Sequence, residues 1–435
     1  MAAVQRSNST MKEPILPRTS STLKGSLQQQ LPVKSLTSTS LKLDAVMGAN
    51  KFSSAIRNRN IVIGVLSAFL LLTIVSWPWH GSVGPSFAAY QRDDDSPLQG
   101  VSRVVEGTRS DPFQTKWANA ARVLPYHRQL SVSKQLGSSK FLVTPEPLVV
   151  PYHKGPVLTG NKQGVLKVYL IYYGLFSLSQ RATLGEFLAS FAGKAVKGTP
   201  TVAGWWAITK GFKDAEKVSV APTVIAGDVY DYVTYIKGKT LKVSDVEALV
   251  IDAITTGQLP LDTSGLYVVL TAANVAVQGF CSQECGTHLY TTPVKATHNH
   301  VLPYAWVGNA VKQCPGFCDW PYAQAAPGTG PSTPALKPPN SDLGIDGMII
   351  TLASLIAGAA TDPYGNGYFQ GDADDPLEIA GVCGGIYGEG AYPGYPGNLL
   401  TNKKGANFNA QGVKGRQFLL PWIYNPATQQ CAGQV

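Results

Sequence analysis

"VLKVYLIYYG", Val165 to Gly174, is dense in β-branched and aromatic residues, carries a single charge and ends in glycine. A run that is apolar on both alternating faces suits a strand covered on both sides, at the centre of a sheet. Just beyond it, "SQRATLGEFLASFAG" sets Leu184, Phe187, Leu188 and Phe191 on one helical face, with Ser179 as the expected cap. "TPTVAGWWAITKGF" reads as a second helix and "VSVAPTVIAG" as the next strand. Ser244 and Glu247 fit a capping box that opens "SDVEALVIDAITTG", which Gly257 ends; the strands "GLYVVLTAA" and "YAWVGN" follow. This alternation predicts an α/β or α+β fold: one large domain with a central, mainly parallel or mixed sheet flanked by helices. From Pro315 onward, Pro and Gly punctuate the chain around one apolar helix, Gly347 to Ala360, so the C-terminal third is expected to be loop-rich.

The chain has 435 residues, 44% of them hydrophobic, enough for a sizeable core. Its net charge is +9, and most of that sits at the front. Residues 1–60 carry Arg6, Lys12, Arg18, Lys24, Lys34, Lys42, Lys51, Arg57 and Arg59 against Glu13 and Asp44, a local net of +7. The remaining charge, about +2, is too balanced for a surface that tracks phosphates, so no nucleic-acid partner is expected. Residues 1–60 read as a basic, Ser/Thr-rich disordered tail. "IVIGVLSAFLLLTIVSW", Ile61 to Trp77, is free of charge and reads as a transmembrane signal anchor or the core of a signal sequence. The basic flank before it orients the main domain to the outside or the lumen, with the membrane as a partner if the segment stays uncleaved. Residues 78–140 read as a stalk or linker and 141–435 as the extracytoplasmic domain.

All six cysteines, Cys281, Cys285, Cys314, Cys318, Cys383 and Cys431, lie on that exported side. An even count there predicts up to three disulfides, with pairing open among fifteen possibilities. The two x3 spacings fit zinc thiolate sites poorly.

Several strings together resemble one family: "YVVLTAANVAVQGFCSQECGTH", "YAWVGN" with "CPGFCDWPY", "LGIDGMIITLASLIAGAATDPYGNGYFQG", "GAYPGYPGNLL" and "GVKGRQFLLPWIYNP". They are similar to the plant EXORDIUM-like, or phosphate-induced, proteins, from about Phe141 to Cys431. The resemblance implies a secreted, cell-wall-associated protein connected with brassinosteroid-responsive growth, cell expansion and carbon status, in a family with no established catalytic activity; the first reading is accordingly a non-enzymatic binding or signalling module of the cell wall or apoplast, with no cofactor expected. The basic lead departs from the short signal peptide usual in that family and leaves a membrane-anchored form open.

A weaker resemblance concerns the apolar helix. Laid on the His-Glu-x-x-Glu pattern of zinc-peptidase-like proteins, the chain places Ser354, Leu355 and Gly358 at the ligand and base positions. None can serve there: a serine hydroxyl is a poor zinc ligand, and leucine and glycine have no donor atom. A zincin-like scaffold without its metal ligands is therefore one form of the expected fold, and a metal-dependent hydrolase is the alternative function. His288, His298 and His300 are the candidates for a site assembled from elsewhere, although "KATHNHVLPY" reads as an exposed loop. Asp372, Asp374, Asp375 and Glu378 form an acidic loop best read as solvated. Among the aromatics, Trp205, Trp206, Trp306, Trp320, Tyr368 and Tyr392 are candidates for stacking on a cell-wall carbohydrate or peptide. No catalytic residues are assigned.

Overall fold

The structure is a computed structural model that describes residues 116, 120–126, 128–129, 148–194, 196, 198–325 and 334–434. The basic tail 1–60, the apolar segment 61–77, His80, His127 and most of the 78–140 stretch lie outside the described residues.

The strand expected at Val165 is central. A six-stranded mixed sheet contains β1 (Arg122–Val123), β2 (Val165–Tyr173), β3 (Thr223–Tyr232), β5 (Leu266–Thr271), β7 (Gly286–Tyr290) and β8 (Pro303–Gly308), in the order β1-β7-β8-β5-β2-β3. Strands β3, β2, β5 and β8 are parallel, and β7 and β1 close one side antiparallel. Two short strands, β4 (Thr240–Leu241) and β6 (Ala276–Val277), pair with each other apart from the main sheet. Along β2, every residue from Val168 to Tyr173 is buried, as a strand covered on both faces requires. The β2–β3 register shifts between Val168 and Leu170.

From β2 the chain steps outward to β3 and then back across to β5. Parallel crossovers keep one hand, so the helices on these two connections fall on opposite faces. The first is α1 (Leu178–Phe191), the second α3 (Val243–Thr255); the short α2 (Val202–Trp206) runs on into a 3-10 turn, Ala207–Gly211. The last helix, α4 (Leu343–Thr361), packs on the side of α1, across β7 and β8. It is buried from Gly344 through Thr361. Among the described residues, α4 is the one helix long and apolar enough to cross a bilayer, yet a helix apolar all round and enclosed on every side is a core helix.

Local chemistry moved several boundaries. Helix α1 starts a residue or two earlier than expected, because Ser177 rather than Ser179 forms the capping box: its Oγ accepts from Gln180 N at 3.2 Å, and Ser177 N donates to Gln180 Oε1 at 2.9 Å. Helix α3 is capped at Lys242, whose N–H donates to Asp245 Oδ2 at 2.8 Å, so Ser244 and Glu247 do not cap it. Glu247 is instead held by Lys116 Nζ at 2.9 Å and Thr292 N. Strand β3 begins after Pro222, which has no N–H to give the ladder, and continues to Tyr232. The stretch expected to be a stalk contributes edge strand β1, paired with Gly286 and Thr287 of β7. Its side chains are then anchored inward: Tyr126 stacks on Trp320 at a centroid distance of 3.8 Å.

The loop-rich C-terminal third is present, and three disulfides staple it: Cys281–Cys314, Cys285–Cys318 and Cys383–Cys431. The first two join the x3 pairs in register, each across 33 residues. The third ties the Gly381–Cys383 turn to the last strand of the chain, Gln430–Ala432.

Candidate functional site

Ile350, Ser354 and Leu355 of α4 line one wall of a recess, and Ile350 and Ser354, four apart, are neighbours on the helix surface. Opposite them lies a shelf, Pro376 to Gly385, followed by Tyr387. The end of β1 with Leu124 and Gln129 forms a third wall, and Pro421 completes the ring. Between these walls is a cavity of about 50 Å³. That is room on the order of three or four waters, or one small polar group of a larger ligand. Its polar lining is Arg122, Gln129, Ser354 and Glu378; the rest is aliphatic, aromatic or glycine. Ser354 Oγ donates to Ile350 O at 3.1 Å and Gln129 Nε2 to Leu124 O at 2.7 Å, so both side chains are fixed by backbone.

The two charged residues of the lining each have an opposite partner behind them. Glu378 Oε1 lies 2.6 Å from His288 Nε2, both side chains being buried. Arg122 Nε lies 3.4 Å from Glu284 Oε2, and Glu284 is fully buried. Burial pulls the His288 pKa down, but the adjacent Glu378 carboxylate, helped by Asp362, outweighs it and leaves the imidazole more basic than usual. Burial raises the Glu378 carboxyl, with His288 opposing. Burial likewise pushes Glu284 up to about 7 against the pull of Arg122. His288 comes from β7, where Gly286, two residues earlier and on the same face, lets α4 approach: a Cβ there would lie 2.9 Å from Thr351 Cγ2 and from Leu355 Cδ1.

One turn beyond Ser354, the pair meets Gly358. A methyl at 358 would overlap Glu378 Oε2 and stand 3.2 Å from His288 Nε2. Where the zinc-peptidase pattern places a glutamate on the helix, this chain has glycine, and a carboxylate twenty residues away in sequence occupies the adjoining space. Asp362, capping the C-terminal end of α4, accepts from Gly367 N at 2.6 Å and adds negative charge nearby. Among the described residues no three His, Cys, Asp or Glu side chains converge as metal ligands. His298 and His300 are exposed in the loop after β7, His298 in a left-handed conformation, and do not join His288.

Four of the six aromatic candidates are core residues. Trp205, Trp206, Trp306 and Trp320 are buried, and three of their indole N–H groups are committed: to Pro421 O at 2.7 Å, Ala221 O at 3.0 Å and Thr271 Oγ1 at 3.1 Å, for Trp205, Trp206 and Trp306 in turn. Ring faces packed in this way offer nothing for a ligand to stack on. Tyr368 is half-buried and stacked with Tyr152 at 4.6 Å; Tyr392 is 49% exposed beside Tyr395. Asp372, Asp374 and Asp375 are exposed, as a solvated loop should be, whereas Glu378 turns inward. Arg122, Gln129 and Glu284 were not singled out by sequence. The only available signal was a glutamate set between two cysteines in "CSQEC", a place where a charge is expected to find a partner.

A family profile described as "Phosphate-induced protein 1 conserved region" matches residues 150–434. The chain belongs to this family. Among phosphate-induced and EXORDIUM-like relatives, "Protein PHOSPHATE-INDUCED 1" of Nicotiana tabacum is 41% identical over 291 residues, 66% of this chain and 89% of the relative. "Protein EXORDIUM-like 2" of Arabidopsis thaliana is 40% identical over 300 residues, 68% of this chain and 92% of the relative. "Protein EXORDIUM", also from Arabidopsis thaliana, is 39% identical over 310 residues, 68% of this chain and 94% of the relative. No solved structure matches the chain. The match to the phosphate-induced family begins at residue 150, so the β1 wall of the cavity comes from sequence ahead of the profiled region.

Proposed function

We propose that the chain acts outside the cytoplasm, in the cell wall or apoplast, as a non-enzymatic binding or signalling module in brassinosteroid-responsive growth and cell expansion. The observation that carries this reading is the cavity: a recess of mixed polar and apolar lining whose shelf is held by the Cys383–Cys431 bond. Six paired cysteines support an oxidising compartment. Residues 61–77 deliver the domain there, either as an uncleaved membrane anchor or as a removed signal. N-terminal sequencing of the protein purified from its own tissue, with alkylation before reduction, tests the placement. A start near Ala89 means release, and an intact N-terminus with membrane fractionation means anchorage; alkylation of Cys314 and Cys318 without reductant overturns the extracytoplasmic reading.

A second reading, a metal-dependent hydrolase, is favoured by one observation, the His288–Glu378 pair set against α4 at Gly358. Stoichiometric zinc in the purified protein, lost in His288→Ala, would replace the first reading with this one.

A further inference from the structure

Both charged side chains that line the cavity are already engaged from behind. Glu378 faces His288 at 2.6 Å and Arg122 faces Glu284 at 3.4 Å. A ligand bringing its own net charge into this recess loses hydration and meets only side chains already engaged from behind, and buried charge without a counter-charge of its own is costly. A neutral group that both donates and accepts hydrogen bonds is favoured instead. Hydroxyls meet that condition: they donate to the Glu378 carboxylate and accept from the Arg122 guanidinium. Between these polar points the walls are Val123, Ile350, Leu355, Leu377, Tyr387 and Pro421, suited to the C–H faces of a saturated ring. The volume accepts the hydroxylated edge of one ring and leaves the rest of a longer molecule outside the mouth.

We propose that this cavity is the binding site for the uncharged terminal sugar of a glycan, with Glu378, Arg122, Gln129 and Ser354 reading its hydroxyls. The proposal rests on the binding-module reading above and gives it a ligand class and an address. His288 and Glu284 are positioning residues that hold the two charged side chains. The shelf supplies the way to test it. A Cβ added at Gly381 meets only Leu377 Cδ2, at 3.8 Å, so a side chain can be introduced on the cavity wall without moving the backbone.

The test is calorimetric titration of the full-length protein in detergent with three sets of probes: neutral oligosaccharides ending in glucose, galactose, xylose or arabinose; oligogalacturonates; and short peptides. The expected result is binding of at least one neutral oligosaccharide. Gly381→Leu should weaken it by about tenfold or more with the thermal midpoint unchanged, and Ser354→Ala, which removes only the hydroxyl, should weaken it as well. Equal binding of that sugar by the wild type and both variants overturns the assignment of the cavity while leaving the binding-module reading intact. Preference for oligogalacturonate or peptide, lost in the same variants, overturns the neutral-sugar inference alone. Absence of binding across all three sets overturns both.

Discussion

Gly358 shows how much one missing methyl decides. Because Glu378 Oε2 fills the space a Cβ would take, Gly358→Ala must push the carboxylate away from His288 or shift α4 within a packed core. Overpacking of this kind costs about 1–3 kcal/mol, and loosening a buried charged pair adds to it. Chemical denaturation should show a loss of at least about 2 kcal/mol. Gly185 in α1 is the control, since a Cβ there meets nothing within 4 Å. Gly185→Ala should stabilise by about 0.5–1 kcal/mol through helix propensity. The buried tryptophans and Tyr392 make a second contrast. Trp205→Ala should cost about 3–5 kcal/mol, whereas Tyr392→Ala should stay within about 0.5 kcal/mol, as a core and a surface ring respectively. Sequence could not separate the two classes, because a tryptophan at the end of an element looks the same whether its N–H meets a carbonyl or water.

At the scale of elements, the shelf depends on its bond to the C-terminal strand. Opening Cys383–Cys431 with a double serine substitution releases a loop of 48 residues, worth about 4 kcal/mol by chain entropy. Limited proteolysis should then find new cuts between Gln370 and Gly385, while the sheet core stays protected. The central strand and α1 were legible because each buries a strongly patterned run: Leu166, Val168 and the residues from Tyr169 to Tyr173 in one, Leu184, Phe187 and Leu188 in the other. Strand β1 was not legible. Two residues carry no periodicity, and Arg122 reads as a surface charge until Glu284 is placed beside it. The His288–Glu378 pair was equally hidden, since its members are 90 residues apart and only the fold brings them together.

For the whole molecule, pH reports on buried carboxyls. Burial holds Glu284 up at about 7, Asp346 at about 7 and Asp319 at about 6, each well above an ordinary carboxyl. A raised folded-state pKa means that the folded chain keeps a proton the unfolded chain has released. The associated stability is therefore complete below the unfolded value and is lost as pH rises through the folded one. Between roughly pH 4.5 and 7 stability should fall as pH rises, and Glu284 alone contributes on the order of 3 kcal/mol over that window. Glu186, held low by Arg416 and Lys414, acts in the opposite sense and only at more acid pH. Melting curves at pH 5 and pH 8 should give the higher midpoint at pH 5, and Glu284→Gln should narrow the gap. Greater stability in mildly acid solution would suit a protein that works outside the cell.

The space shared by Gly358 and Glu378 has a consequence for how this chain can diverge. A side chain at 358 and the carboxylate at 378 compete for the same space, so position 358 is not free to vary while Glu378 keeps its place beside His288. Replacement at 358 should be tolerated best in the presence of a matching change at 378, and the two should drift as a linked pair. A glutamate introduced on α4 would therefore not restore a ligand set by itself: the present occupant of that space must leave first.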